Sequence, residues 1–261
     1  MNGAAEGTQP PSVIGATAAG REPANEFDHP VVAGLYDVLD PDRSDLDLYV
    51  AVAEEVGARS VIDVGCGTGV LAIRLAERGL AVTGVEPAGE MLAVARSKPG
   101  VAAVRWVHGD AAVLAEGEAD LATMTANVAQ VFTTDQGWEE TLAAVRAALR
   151  TGGTLAFETR VPQRRAWESW TPERTFVRAD IPGVGIVEEW KRVDETALPL
   201  VTFTSTTRLP DGTEIEAVST LRFRERDEIE VSLHAAGFDA VEVRDLAYAP
   251  GRGRLFVARA A

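Results

Sequence analysis

Gly65, Gly67 and Gly69 stand at alternate positions between a β-branched apolar run and a helix-spaced run. No other stretch limits the possible folds as much. Ser60 to Val64 is apolar apart from Asp63, which suits a buried parallel strand. The glycines follow at once, where they allow positive φ and close approach of a ligand to the backbone. Val70 to Arg78 has helical spacing, with Leu71 and Leu75 one turn apart, and Gly79 is a stop. Ala81 to Val85 is a second short strand, and Glu86 stands at its carboxyl end. Open α/β sheets place their ligand contacts at that end.

This order is a nucleotide-type βαβ unit, with the acid about twenty residues after the first glycine, a spacing that suits a ribose hydroxyl pair. A dinucleotide fingerprint is G-x-G-x-x-G, with a pyrophosphate at the helix N-terminus. Here the third glycine comes one residue early and Val70 occupies the fingerprint position. That disfavours a nicotinamide-dependent oxidoreductase without removing it.

The run D-V-G-C-G-T-G from Asp63 to Gly69 resembles the first motif of class I S-adenosylmethionine (SAM) dependent methyltransferases. The resemblance covers about Val61 to Ala261 and is weakest from 160 to 226. It implies that Asp63, Gly65, Cys66, Gly67 and Gly69 pass beside the methionine part of SAM, and that Glu86 holds the ribose. It implies that Pro87 and Met91 wall the adenosine, and that Asp110 and Ala111, in the "G-D-A" segment, meet the adenine amino group. A carboxylate is a sensible acceptor for that donor. The family brings methyl group and acceptor together at the end of its fourth strand, which implies Thr125, Ala126 and Asn127. Its N-terminal helices cover the cofactor, with Tyr36 and Tyr49 as aromatic candidates. Arg160, directly after the fifth strand, is the best candidate for acceptor recognition, ahead of Arg164, Arg165 and Trp167. The substrate candidates are therefore Tyr36, Asn127 and Arg160. No residue stands out as an obligatory catalyst. His29, His108 and several carboxylates are available should the acceptor need a base.

Composition narrows the partners. The net charge is −15, which argues against a nucleic-acid substrate and an anionic membrane surface. No apolar run is long enough to span a membrane, and no secretory signal is visible. Cys66 is the one cysteine, so no internal disulfide forms and a cytoplasmic location is expected. No metal-site pattern is present. A SAM-binding protein that does not methylate stays open, because the motif records the cofactor and not the outcome.

Residues 1–25 are rich in Gly, Ala, Pro, Ser and Thr and read as a disordered tail; 26–261 read as one methyltransferase-like domain. Helices are expected from Pro30, broken at Asp40-Pro41, and from a cap at Ser44 or Asp45 to Val56. A helix from Pro87 to Ser97 and strands at Val104–Val107 and Ala119–Thr125 follow. Next come a helix over Asp135–Leu149, a turn at Arg150–Gly153 and a fifth strand over Thr154–Thr159. The turn resembles the family's "L-R-P-G-G" segment. From 160 to 226 alternating segments flank the hairpin signal Pro210-Asp211-Gly212, which predicts an antiparallel β insertion. A helix capped by Asp227 and running to Ala236, then strands at Ala240–Leu246 and Leu255–Arg259, finish the chain. The expected class is α/β: a seven-stranded, mostly parallel doubly wound sheet with an antiparallel terminal hairpin, N-terminal helices and the insertion after the fifth strand.

Overall fold

The computed structural model describes residues 26–117 and 119–261. The tail expected over 1–25 lies outside these residues. Strands β1 (Ser60–Val64), β2 (Ala81–Glu86), β3 (Val104–His108), β4 (Ala119–Met124) and β5 (Leu149–Arg160) pair in parallel. Strands β6 (Val177–Ile181), β7 (Gly185–Ala197), β8 (Leu200–Arg208) and β9 (Glu214–Arg222) form a separate antiparallel sheet in that order. Strands β10 (Phe238–Asp245) and β11 (Gly253–Ala260) return to the main sheet, whose order is β10-β11-β5-β4-β1-β2-β3. β11 is antiparallel to both β5 and β10.

The helices are α1 (Pro30–Leu39), α2 (Asp47–Glu55), α3 (Val70–Glu77), α4 (Gly89–Ser97), α5 (Asp135–Ala148), α6 (Pro172–Thr175) and α7 (Arg226–Ala235). Helices α2, α3, α5 and α7 cover the two faces of the main sheet because its parallel strands are apolar on both sides. On one face, Trp138, Leu142 and Val145 of α5 and Ile229 and Leu233 of α7 pack on Val64, Met124, Leu155, Phe157 and Phe256. Phe157 and Phe256 stack at 5.2 Å across β5 and β11. On the other face, α2 and α3 bring Tyr49, Val52, Leu71 and Leu75 against Val61, Val82, Leu121, Ala156 and Leu255. Leu155, Ala156 and Phe157 point alternately to the two cores, as strand geometry requires. Each large side chain buried here contributes about 1.5–3 kcal/mol.

Some boundaries differ from expectation for local reasons. Helix α4 starts at Gly89 and not at Pro87, because Glu86 accepts a hydrogen bond from Ala88 N (2.9 Å) and holds the intervening residues in a turn. Strand β5 starts at Leu149, which pairs with Ala119; the expected turn is a bulge inside the strand, with Gly152 at φ +76°. Helix α7 is capped by Glu225 in a reciprocal capping box with Glu228, and Asp227 lies in its first turn. A 3₁₀ turn, Ser44–Leu46, precedes α2. Strand β6 was not expected at all.

The second sheet presents two unlike faces. Val187 packs on Leu35 of α1, and Val193 and Val201 pack on Trp167 and Phe223. The opposite face carries the ion pairs of Arg208 with Glu188 and Glu214, and Arg208 stacks on Trp190. The sheet therefore leans its apolar face on the body of the protein.

Candidate active site

The glycine loop is fixed from two sides. Val85 O accepts hydrogen bonds from both Gly65 N (2.8 Å) and Cys66 N (3.0 Å), which ties the loop to the end of β2. Glu86 then reaches under it. One carboxylate oxygen accepts from Gly67 N (2.8 Å) and the other from Ala88 N (2.9 Å). Burial raises the Glu86 pKa, and these two donors oppose the rise. Each carboxylate oxygen has more than one lone pair, so both can still accept from a ligand.

The three glycines do different jobs. A Cβ on Gly69 would lie 2.3 Å from the Trp106 ring, and one on Gly65 would lie 2.7 Å from Val128. These two make room for packing. A Cβ on Gly67 would meet only Met91 Cε, at 3.5 Å. Gly67, at φ +54°, is the position where the bare peptide faces open space. The Cys66 thiol is buried against Gly84, and burial pushes its pKa up, so it is a small residue filling the turn. Asp63 is 1% exposed. Its Oδ1 accepts from Thr123 Oγ1 (2.8 Å), and its Oδ2 has no partner. Burial, with the Glu86 charge nearby, pushes its pKa up to about 7.

Beyond Glu86, Gly109 N donates to Glu86 O (3.0 Å) and brings Asp110 alongside the same strand end. One Asp110 oxygen accepts from Ala112 N (2.9 Å), Asp110 itself is exposed, and Ala111 is buried. Pro87 is exposed and its carbonyl meets His108 Nε2 at 2.9 Å, which gives His108 a structural partner. Met91 packs with Ala33, Ala88, Phe27 and Tyr36, so two separately predicted residues share one cluster. Tyr49 is a correction: it is fully buried in the core and its hydroxyl donates to Met124 O (3.4 Å). A polar latch holds α1 over the loop. Thr68 Oγ1 donates to one Asp37 oxygen (2.6 Å), Lys98 Nζ pairs with the other (2.5 Å), and Lys98 Nζ also donates to Thr68 O (2.6 Å).

The carboxyl ends of β4 and β5 form the second half of the site. Thr125 is buried, and Ala126 and Asn127 follow with φ of +52° and +62°. Two successive non-glycine residues in this region store about 1–3 kcal/mol each. Asn127 N donates to Glu158 Oε1 (3.1 Å), which holds the turn. Arg160 donates to Gln130 Oε1 (2.9 Å) and lies over Trp170 at 5.4 Å. Arg164 donates to Gly251 O, Arg165 pairs with Glu168, and Trp167 is core, so of these candidates Arg160 alone joins this end of the sheet. Arg224, on the return from the second sheet, donates to Ala129 O, Phe132 O and Thr134 O and staples the loop after β4.

Glu158, Gln130, Trp170 and Arg224 were not found by sequence reasoning. Glu158 carried a usable signal, a lone acid in an apolar strand, the same signal that marked Asp63. The other three are brought in by the folding of distant segments.

A family model described as methyltransferase domain matches residues 61–153. The malonyl-[acyl-carrier protein] O-methyltransferase of Geobacter sulfurreducens is 30% identical over 220 residues, 77% of this chain and 68% of that protein. The chain belongs to the SAM-dependent methyltransferases. An uncharacterized methyltransferase of Mycobacterium bovis is 34% identical over 104 residues, 40% of this chain and 52% of that one. The chain spans about half the length, or less, of the first curated relatives it matches. Among solved structures, SAM-bound CalS10 of Micromonospora echinaspora, an amino pentose methyltransferase, is 26% identical with a TM-score of 0.66, covering 88% of this chain and 97% of that one. The chain has a seven-stranded sheet and a separate four-stranded sheet.

SAM, the cofactor of the family, fits the residues present. The unpartnered Asp63 Oδ2 and the pinned Glu86 carboxylate suit a cationic, hydroxyl-bearing ligand, and the bare Gly67 peptide leaves it room. Val70 stands where a dinucleotide fingerprint has its third glycine.

Proposed function

We propose that the protein transfers a methyl group from SAM to a small organic acceptor. The reading is carried by the Glu86 carboxylate, held by Gly67 N and Ala88 N beside the open face of Gly67. In it, Asp63 and the backbone of Gly65, Cys66, Gly67 and Gly69 line the methionine part. Glu86 takes the ribose hydroxyls, Pro87 and Met91 flank the adenosine, and Asp110 and Ala111 take the adenine edge. Thr125 and Ala126 border the methyl group, and Tyr36, Asn127 and Arg160 face the acceptor.

Bound SAM supplies a methyl group on a sulfonium whose leaving group needs no protonation. The chain's own task is then to hold, orient and keep dry. Glu86 arrives pre-aligned because two amides fix both oxygens. Helix α1 and the second sheet supply the walls that exclude water. Alignment of this kind contributes up to about 7–11 kcal/mol of a barrier.

A small acceptor is supported by the added sheet, whose apolar face closes on the body, and by the acidic chain, which opposes nucleic acid. None of the described helices is long and apolar enough to cross a membrane, and a cytoplasmic location is part of the proposal. Calorimetric titration with SAM, S-adenosylhomocysteine and NADH tests the reading. Micromolar SAM binding with S-adenosylhomocysteine at least as tight supports it; binding of NADH alone replaces it with an oxidoreductase.

A further inference from the structure

Glu158 is 1% exposed, yet it lacks a full set of partners. Oε1 accepts from Asn127 N, the backbone N–H of Ala126 also acts on the carboxylate, and Oε2 has no hydrogen-bond partner within bonding geometry. The cation two residues away does not supply one, because Arg160 is engaged with Gln130 and Trp170. A buried carboxylate oxygen with no donor is costly, so its retention needs an account.

The groups around it sharpen the point. Asp45, from the turn before α2, Arg160 and Tyr248 are the charged or titratable groups that Glu158 feels. Asp45 Oδ1 is 3.5 Å from Arg43 Nε without a hydrogen bond. Farther out, Asp40 after α1 and Glu189 on β7 stand near Lys191. Burial raises the pKa of Asp40, Glu158 and Glu189 alike, and that of Glu158 reaches about 7. The acids at this end of the sheet thus exceed the free cations. A carboxylate acceptor here would face Glu158 and Asp45. A hydroxyl acceptor could donate one hydrogen bond to Glu158 Oε2 but would leave the charge of both acids unneutralised.

We propose that the acceptor is an amine, held as an ammonium ion by Glu158 Oε2 at the carboxyl ends of β4 and β5. The inference rests on the methyl-transfer reading of the same site and adds the acceptor class and the residue that takes its proton. The proton passes from the ammonium nitrogen to Glu158 Oε2, the carboxylate becomes a carboxylic acid, and the nitrogen regains its lone pair. A group whose pKa sits near neutrality is suited to that exchange.

The test uses protein saturated with S-adenosylhomocysteine and three probes of one skeleton: cyclohexylamine, cyclohexanol and cyclohexanecarboxylate. Calorimetric titration at pH 8 is expected to show the ammonium probe binding at least about tenfold more tightly than either other probe. The amine stays charged between pH 5.5 and 8, so its affinity is expected to rise about tenfold over that range as Glu158 deprotonates. Glu158→Gln is expected to remove both effects and leave S-adenosylhomocysteine affinity within about twofold. If the variant does not fold, the pH profile of the wild-type protein decides. Binding of the alcohol or carboxylate at least as tight as the amine overturns the proposal, as does a flat pH profile or no binding of the amine. Failure of S-adenosylhomocysteine to bind the wild-type protein would instead remove the methyl-transfer reading beneath it.

Discussion

The two halves of the site are finished to different degrees. Around the glycine loop, backbone amides fix two of the three acids in advance: Glu86 has Gly67 N and Ala88 N, and Asp110 has Ala112 N, while Asp63 keeps one oxygen without a partner. At the ends of β4 and β5, side chains from distant segments hold one another, and Glu158 Oε2 is left over. The first arrangement serves a ligand with a constant shape. The second leaves one buried carboxylate oxygen without a partner.

The contrast can be broken most severely at a glycine. Gly69→Ala should cost about 3–5 kcal/mol, because its Cβ meets Trp106 at a positive φ. Gly183→Ala, in the β6–β7 turn with φ +80° and open space around it, should cost only about 1 kcal/mol. Urea unfolding of both variants measures the difference; equal losses would mean that the loop is no tighter than the added sheet. Next comes Arg224→Met, which strips three carbonyls of their donor and should destabilise by about 2–4 kcal/mol. It should weaken acceptor turnover more than SAM binding, and a SAM affinity that falls with turnover would show the two halves to be one unit.

Glu86→Ala should weaken SAM about ten- to a hundredfold by calorimetry, with a smaller change in stability. Unchanged SAM affinity would remove the ribose assignment. A pH comparison sharpens the contrast further. The Glu158 pKa is raised by burial from 4.5 to about 7. Its protonated form is therefore favoured in the folded state, and the associated stability is complete below the unfolded value and lost as pH rises through about 7. Glu158→Gln should then gain about 1–3 kcal/mol on wild type between pH 5 and pH 8, read from thermal unfolding at the two pH values. Asp63, raised from 3.8 to about 7, has the same sign and remains in both proteins. The smallest effect is expected at the latch. Lys98→Met should cost about 1 kcal/mol or less, since the pair is partly exposed, and should speed SAM dissociation a fewfold in stopped flow.

How much of this was legible depended on how local the cause was. The βαβ unit was readable to within a residue because apolar strand runs, glycine turns and a terminal acid all lie in one short stretch. Two boundaries moved because a side chain intervened: Glu86 delayed α4, and Glu225 took the cap from Asp227; β5 began early through backbone pairing of Leu149 with Ala119. The insertion was readable from its hairpin signal, whereas β6 was short and lacked one. The acceptor half was not readable as a unit. Gln130 meets Arg160 and Arg224 meets Ala129 only after long excursions of the chain, and periodicity carries no information about such meetings.

Helix α1 touches the cluster beside the glycine loop and the added sheet at once. Ala33 and Tyr36 rest on the cluster of Ala88 and Met91, while Leu35 rests on Ile181 and Val187 of the added sheet. Asp37 clasps it to the loop through Thr68 and Lys98. A part shared by two walls cannot leave one and spare the other. Lifting it to exchange one occupant loosens the enclosure of the second, so the two compartments have a common door, and its bolt is an ion pair within reach of salt.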